Sequence, residues 1–94
     1  MKPFWTYMVR CSDNSYYIGH TDNLERRLLE HNHGTLICYT TNRLPVQLVW
    51  SNEFATREEA LERERQIKGW SRAKKEALIR EDWKELKDLS KSKK

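Results

Sequence analysis

Two apolar segments near the N-terminus, separated by a polar one, predict two paired strands. Residues 4–11 are rich in aromatic and β-branched side chains, and residues 16–20 have the same character. Residues 12–15, between them, are turn formers. We therefore predict a β-hairpin here and a third strand at residues 46–51, where the sequence is again apolar and β-branched.

A helical pattern follows the hairpin. Thr21 or Asp22 can cap a helix over residues 23–32, because a short polar side chain before an apolar repeat marks a helix start. Gly34 ends this element. Residues 33–45 are rich in Thr, Asn and Pro and predict a loop.

Two more helices are predicted in the second half of the chain. Thr56 and Glu59 match the capping box, a hydroxyl followed three residues later by a carboxylate, and the helix should run to Lys68. Ser71 can cap a third helix that runs to about Asp82. The remainder is either a helical extension or a tail.

The element order β-β-α-β-α-α predicts an α/β (α+β) fold, with a small three-stranded sheet flanked by helices. The chain has 94 residues, which suffices for one domain. We place that domain at residues 1–83 and a basic C-terminal tail at 84–94.

Neither a membrane-spanning run nor a signal-peptide pattern is present, so we expect no membrane association and a cytoplasmic protein. Cys11 and Cys38 are too few for a disulfide framework and are expected to be reduced and packed. Together with the three histidines they match no paired-ligand spacing for zinc.

The net charge of +4 is unevenly distributed. Five lysines and two acids lie in residues 84–94, which is typical of a solvated terminus as well as of a phosphate-binding tail. Residues 63–75 hold six basic side chains and one acid, Glu64. This denser stretch favours a nucleic-acid partner, although a charged solvent face would have a similar sequence.

Two charged or titratable residues lie on the apolar face of the first helix. Arg27 and His31 share that face with Leu24 and Leu28. Burial of an unpaired charge is costly, so Arg27 and His31 either reach the rim of the core or pair with an acid, or else they line a polar pocket at the edge of the core. Arginine is well suited to grip a phosphate with two hydrogen bonds.

The second helix places one glutamate on its apolar face. Glu64 lies between Ala60 and Ile67, whereas the other glutamates of this helix face away. A salt bridge to Arg27 is one interpretation. The other is a metal ligand, because Mg²⁺ is held by one or two carboxylates together with waters and substrate phosphates.

Tyr7 ends a first triplet, Tyr17-Ile18-Gly19 forms the second, Arg27 follows ten residues after Tyr17, and Glu64 faces inward. This joint pattern resembles the GIY-YIG nuclease superfamily, in particular its small stand-alone bacterial members. The similarity covers about residues 4–80. It implies a three-stranded antiparallel sheet with flanking helices and metal-dependent hydrolysis of a phosphodiester.

The resemblance also implies roles for individual residues. Tyr17 would activate the attacking water, with Tyr7 supporting it through a hydrogen bond. Arg27 would bind the scissile phosphate, and Glu64 would be the sole protein ligand of Mg²⁺ or Mn²⁺. His31 occupies the position of an active-site Tyr or His.

Further positions are expected to contact nucleic acid, namely His20, Tyr39, Lys68, Arg72, Lys74 and Lys75. The chain departs from the family pattern at Trp5-Thr6, which replace Gly-Ile, at His20, which replaces a lysine, and at Cys38. His20 removes a fixed positive charge near Tyr17, so activity should either be lower or depend on pH.

The resemblance thus implies a metal-dependent endonuclease that cuts DNA, one strand per molecule, with structured or branched DNA in repair or recombination as the expected substrate. We expect a monomer or weak dimer without an obligate protein partner. One alternative is a non-catalytic nucleic-acid-binding module with the same fold. Another is a protein-interaction domain that uses Trp70 and Trp83.

Overall fold

The computed structural model describes residues 2–34 and 40–91 of the chain. The predicted fold class is confirmed, and one further helix follows the predicted elements. The elements in chain order are β1 (Phe4–Arg10), β2 (Tyr16–Thr21), α1 (Leu24–Asn32), β3 (Gln47–Phe54), α2 (Arg57–Lys68), α3 (Arg72–Ile79) and α4 (Trp83–Lys91).

The three strands form an antiparallel sheet in the order β2-β1-β3, which leaves β2 at an edge. Tyr7 in the central strand is opposite Gly19 on one side and Ser51 on the other. β3 runs three residues beyond the predicted end at Ser51, because it pairs with β1 as far as Phe4 and Phe54.

Each face of the sheet carries its own apolar cluster, as alternation along a strand requires. On one face the buried residues are Tyr7, Val9, Cys11 and Val46, with Leu24 and Leu28 of α1 packed against them. On the other face they are Met8, Ile18, Ile67 and Leu78, which come from β1, β2, α2 and α3. Cys11 is a free, buried thiol, whereas Cys38 lies outside the described residues.

Local polar signals set the starts of α2 and α3 as predicted. The Thr56 side chain accepts from the backbone N–H of Glu59, and the Glu59 carboxylate accepts from the backbone N–H of Thr56. The Ser71 hydroxyl oxygen accepts from the N–H of Lys74. Such caps satisfy donors that would otherwise lack a partner at a helix start.

The predicted cap of α1 is wrong. Thr21 belongs to β2, where it pairs with Trp5, and the N-cap is Asn23. The Asn23 side chain accepts from the N–H of Arg26, and the Thr21 hydroxyl oxygen accepts from the N–H of Asn23. The strand therefore runs almost directly into the helix.

Residues 83–91 form a helix, which is one of the two alternatives that the sequence left open for the end of the chain. α3 ends at Ile79 rather than Asp82, since Glu81 adopts a left-handed backbone with φ of 56°. The Asp82 carboxylate then accepts from the N–H of Glu85 and starts α4. Leu86 packs against the α2–α3 side of the core, which explains why this helix forms. Within the described ranges, no helix has the length and apolar character that crossing a membrane requires.

Candidate active site

Tyr7, Gly19 and Tyr17 lie together on the α1 side of the sheet. Tyr7 is fully buried, and its ring centroid is 6.3 Å from that of Tyr17. Gly19 faces Tyr7 across the strand pair, and a Cβ built on it would lie 2.7 Å from the Tyr7 hydroxyl oxygen. The missing side chain at position 19 is what lets the Tyr7 phenol reach the edge strand.

His31 completes this cluster from α1. Its Nε2 is hydrogen-bonded to the Tyr7 hydroxyl at 2.9 Å, and its ring centroid is 5.5 Å from that of Tyr17. Its Nδ1 is hydrogen-bonded to the hydroxyl of Thr40, also at 2.9 Å. Thr40 is fully buried, and sequence reasoning did not single it out. Both ring nitrogens are thus paired, so the imidazole has a fixed orientation.

The same burial determines the charge of His31. Burial lowers the pKa of this imidazole below its ordinary value of 6.5, and the nearby charge of Arg27 lowers it further, whereas Glu30 opposes the shift. His31 is therefore neutral at pH 7, with one ring nitrogen as donor and the other as acceptor. A neutral imidazole beside two phenols can pass or hold a proton.

Glu64 lies on the other side of the sheet, where α2 packs on β2. It is buried, as the helical pattern predicted. The Nδ1 of His20 lies 2.6 Å from its Oε1, and the Nζ of Lys68 lies 2.7 Å from its Oε2. The interpretation of Glu64 as a partner of Arg27 is wrong, because its two oxygens face His20 and Lys68.

These two contacts keep Glu64 ionised despite its burial. Burial by itself would raise the pKa of this carboxyl group. The hydrogen bonds and charges of Lys68 and His20 outweigh that effect, and the pKa falls below its ordinary value. Glu64 is a carboxylate at neutral pH, which is the form that a cation requires.

Lys68 joins the two halves of this arrangement. Its ammonium nitrogen, while paired with Glu64, is 6.0 Å from the centroid of the Tyr17 ring. The phenols and His31 are on one face of the sheet and Glu64 is on the other, so the groups meet around edge strand β2. An edge strand permits this, because no further strand separates its two faces.

Arg27 is held at the rim of the cluster by its own helix. Its Nε donates to Oε1 of Glu30 at 3.1 Å, and its side chain is 30% exposed. A guanidinium has five N–H donors, so its terminal amino groups are the ones suited to grip a phosphate. Of the alternatives that the sequence left open for Arg27, the structure shows a position at the rim of the core with Glu30 as the acidic partner.

The basic residues of α2 and α3 form a surface in which cations lie over aromatic rings. Lys74 and Arg63 both approach the Trp70 ring, at 4.5 and 5.3 Å from its centroid. Arg72 lies 4.6 Å over the Tyr16 ring and donates from Nε to Glu76. The sequence pattern had indicated the cations without their aromatic partners.

Lys75 and Tyr39 were also predicted to contact nucleic acid. Lys75 lies partly buried on α3, and burial lowers its pKa, with the charge of Arg72 adding to the shift. Tyr39 lies outside the described residues.

Comparison with known proteins gives the family. Residues 3–77 match the family model described as the GIY-YIG catalytic domain. The chain therefore belongs to the GIY-YIG family, a nuclease superfamily, as the two tyrosine triplets and the inward glutamate indicated.

Among its relatives are UPF0213 proteins. The chain is 46% identical over 81 residues to the UPF0213 protein of Staphylococcus saprophyticus, covering 86% of this chain and 99% of that protein. It is 49% identical over 77 residues to the UPF0213 protein of Haloquadratum walsbyi, covering 82% and 86%. The names of these relatives specify no reaction, so the reaction has to be inferred from the site.

Two solution NMR structures have a fold similar to that of this chain. A solution NMR structure of a UPF0213 protein from Bacillus halodurans is 38% identical, has a TM-score of 0.54 and covers 82% of each chain. A solution NMR structure of a protein from E. faecalis is also 38% identical, with a TM-score of 0.58 and 85% of each chain covered.

Proposed function

We propose that this protein is a metal-dependent endonuclease that hydrolyses phosphodiester bonds in DNA. The observation that carries the proposal is the meeting of two phenols, a neutral imidazole and an ionised, buried carboxylate around one edge strand. Lys68, within 2.7 Å of Glu64 and 6.0 Å of the Tyr17 ring, shows how close the two halves are. Buried titratable groups that converge in this way are typical of catalytic sites.

The divalent cation is proposed to bind Glu64. No group of three or more His, Cys, Asp or Glu side chains converges in residues 2–34 and 40–91, which argues against a zinc site there. A single ionised carboxylate fits Mg²⁺ or Mn²⁺, which keep several waters and use substrate phosphates. When bound, such a cation supplies Lewis-acid stabilisation to the leaving oxygen.

The side chains divide the remaining work. Tyr17, in its phenolate form, is the proposed acceptor of a proton from the attacking water, and Tyr7 supports it from the buried hydrogen-bonded pair with His31. Arg27 grips the scissile phosphate through its terminal amino groups while Glu30 holds its Nε. The positive charge of Arg27 then stabilises charge that develops on the phosphate.

The wider substrate is proposed to be structured or branched DNA, in repair or recombination. The cations of α2 and α3 are arranged along a surface and would contact the phosphate backbone, which positions DNA without reading its sequence. One molecule offers one such site, so we propose one cut strand per monomer, without an obligate protein partner. Action in the cytoplasm is part of the same proposal.

A second candidate is a nucleic-acid-binding module without catalysis. One observation favours it, because both oxygens of Glu64 already have side-chain partners in the protein, His20 and Lys68. In that case His20 and Lys68 would hold Glu64 as a structural carboxylate.

A cleavage assay separates the two. Labelled duplex, flap and four-way-junction DNA are incubated with Mg²⁺, Mn²⁺ or EDTA and wild type, Glu64→Gln or Glu62→Gln. Glu62 is an exposed residue of the same helix and provides the matched control. We expect cuts by wild type and Glu62→Gln, and none with EDTA or Glu64→Gln. Equal cutting by Glu64→Gln would refute the metal assignment, and salt-sensitive binding without cuts would favour the binding module.

A further inference from the structure

Each carboxylate oxygen of Glu64 has a side-chain partner within the protein. Its Oε1 lies 2.6 Å from Nδ1 of His20 and its Oε2 lies 2.7 Å from Nζ of Lys68. Its side chain is 11% exposed, so a cation approaching from solvent meets the carboxylate through a small opening. A divalent cation at Oε2 would lie next to the ammonium group of Lys68, and the repulsion between the two positive charges disfavours both being on Glu64 at once.

Lys68 and His20 differ in how readily they can move away from the Glu64 carboxylate. Lys68 follows Glu64 by four residues on α2, and this order of acid and base is the favourable one on a helix. Its side chain is 49% exposed, against 23% for His20. A flexible lysine with an exposed end can leave the carboxylate at little cost, because water solvates its ammonium group.

We propose that Lys68 occupies, in the free protein, the place on Glu64 that the divalent cation takes, so that the two exclude each other. This inference rests on the proposed function, since it concerns the same metal ligand. Lys68 keeps the buried carboxylate paired when no metal is present, which avoids the cost of an unpaired buried charge. It thereby sets the metal affinity of the site.

Once displaced from Glu64, the Lys68 side chain has an alternative partner near Tyr17, namely a substrate phosphate. Its ammonium nitrogen is 6.0 Å from the ring centroid of Tyr17, the residue that meets the substrate in the proposed mechanism. A DNA phosphate at this position would attract Lys68 and release Glu64. Metal and DNA should therefore each strengthen the binding of the other, as two ligands linked through one side chain must.

The test uses Mn²⁺ and the full chain without DNA. Paramagnetic broadening of backbone amide signals around Glu64 is followed by NMR during Mn²⁺ titration in about 0.15 M salt, which screens distant charges. Lys68→Met removes the ammonium and Lys68→Arg keeps the charge. Lys74→Met is the matched control, because it removes the same charge from a lysine that lies 4.5 Å over Trp70. Glu64→Gln reports whether the broadening arises from this carboxylate.

We expect Lys68→Met to bind Mn²⁺ about fivefold tighter than wild type, the order expected when one partly exposed ion pair no longer has to be broken. Lys68→Arg and Lys74→Met should stay within about twofold of wild type, since neither removes the competitor from Glu64 without replacement. Glu64→Gln should lose the broadening.

Three results would overturn the inference. They are unchanged or weaker binding by Lys68→Met, equal tightening by Lys74→Met, and broadening that persists in Glu64→Gln. In each variant, backbone amide chemical shifts that match those of wild type away from the substitution show that the fold is intact. Absence of DNA cleavage by wild type, together with tighter Mn²⁺ binding by Lys68→Met, would refute the proposed reaction and leave the competition at Glu64 standing.

Discussion

Gly19 lies so close to Tyr7 that a Cβ at position 19 would be 2.7 Å from the Tyr7 hydroxyl oxygen and 2.8 Å from its Cζ. Tyr7 is fully buried and hydrogen-bonded to His31, so its ring cannot easily move away from a side chain at position 19. The glycine of the second triplet is therefore required by packing against the tyrosine of the first. The strand register places the two residues opposite each other.

Gly19→Ala should destabilise the protein by about 1–3 kcal/mol, the usual cost of forcing a methyl group into a packed site. Gly69→Ala is the matched control, because the nearest atom to its Cβ is 3.6 Å away and its φ of −83° suits any residue. We expect a change within about 0.5 kcal/mol there. Urea unfolding of both variants measures the difference, and equal stability would contradict the close contact.

The stability of the fold should fall on acidification because His31 is buried and neutral. Its folded-state pKa is below 6.5, so at lower pH the unfolded chain binds a proton that the folded protein resists. Stability is thus full above pH 6.5 and declines below it, by up to about 1.4 kcal/mol per pH unit for this group.

Urea unfolding at pH 7.5, 6.5 and 5.5 measures this slope. His31→Gln should reduce it, whereas His33→Gln removes an exposed histidine and serves as the control. A slope that is the same in wild type and His31→Gln would show that the imidazole of His31 is free to take up a proton in the folded state.

Arg27 and Arg26 provide a neighbouring pair with different predicted roles. Arg27 is 30% exposed beside the His31 cluster, whereas Arg26 is 61% exposed. Arg27→Ala should lower the rate of DNA cleavage about 10²–10³-fold by removing charge stabilisation in the transition state. Arg26→Ala should stay within about threefold of wild type. If Arg27→Ala weakened DNA binding by the same factor as cleavage, Arg27 would serve in positioning alone.

The cations of α2 and α3 should govern how DNA binding depends on salt. Lys74→Ala removes a lysine next to Trp70, and Lys87→Ala removes an exposed lysine of α4. Lys74→Ala should weaken binding to all DNA sequences alike and reduce the slope of log K against log salt by about 1. Fluorescence anisotropy at several salt concentrations tests this, and an equal effect of Lys87→Ala would refute the assignment of the surface.

The sequence anticipated features that depend on neighbours along the chain. The capping box of Thr56 and Glu59, the cap at Ser71 and the inward face of Glu64 were all predicted and are present. Each follows from positions three or four residues apart on one helix. The capping residue of α1 was predicted wrongly, because Thr21 pairs with Trp5 in the sheet and the N-cap is Asn23.

Other features required the assembled molecule. Thr40 was not singled out, and its contact with His31 depends on where the segment after α1 packs. The pairing of His20 with Glu64 joins residues 44 positions apart. Lys68 was predicted to contact nucleic acid, and its ion pair with Glu64 was not predicted. The spacing of four residues between them on one helix is the sequence feature that indicates this ion pair.

The sequence by itself determined the element types, their order and the chemical groups available for catalysis, since periodicity, caps and turns act over a few residues. The tertiary structure alone decided which of these groups meet. Tyr7 and Tyr17 reach His31 on one face of the sheet, and Glu64 meets His20 and Lys68 on the other. That choice depends on strand register and on how helices pack on an edge strand, and such long-range contacts form only when the whole core closes.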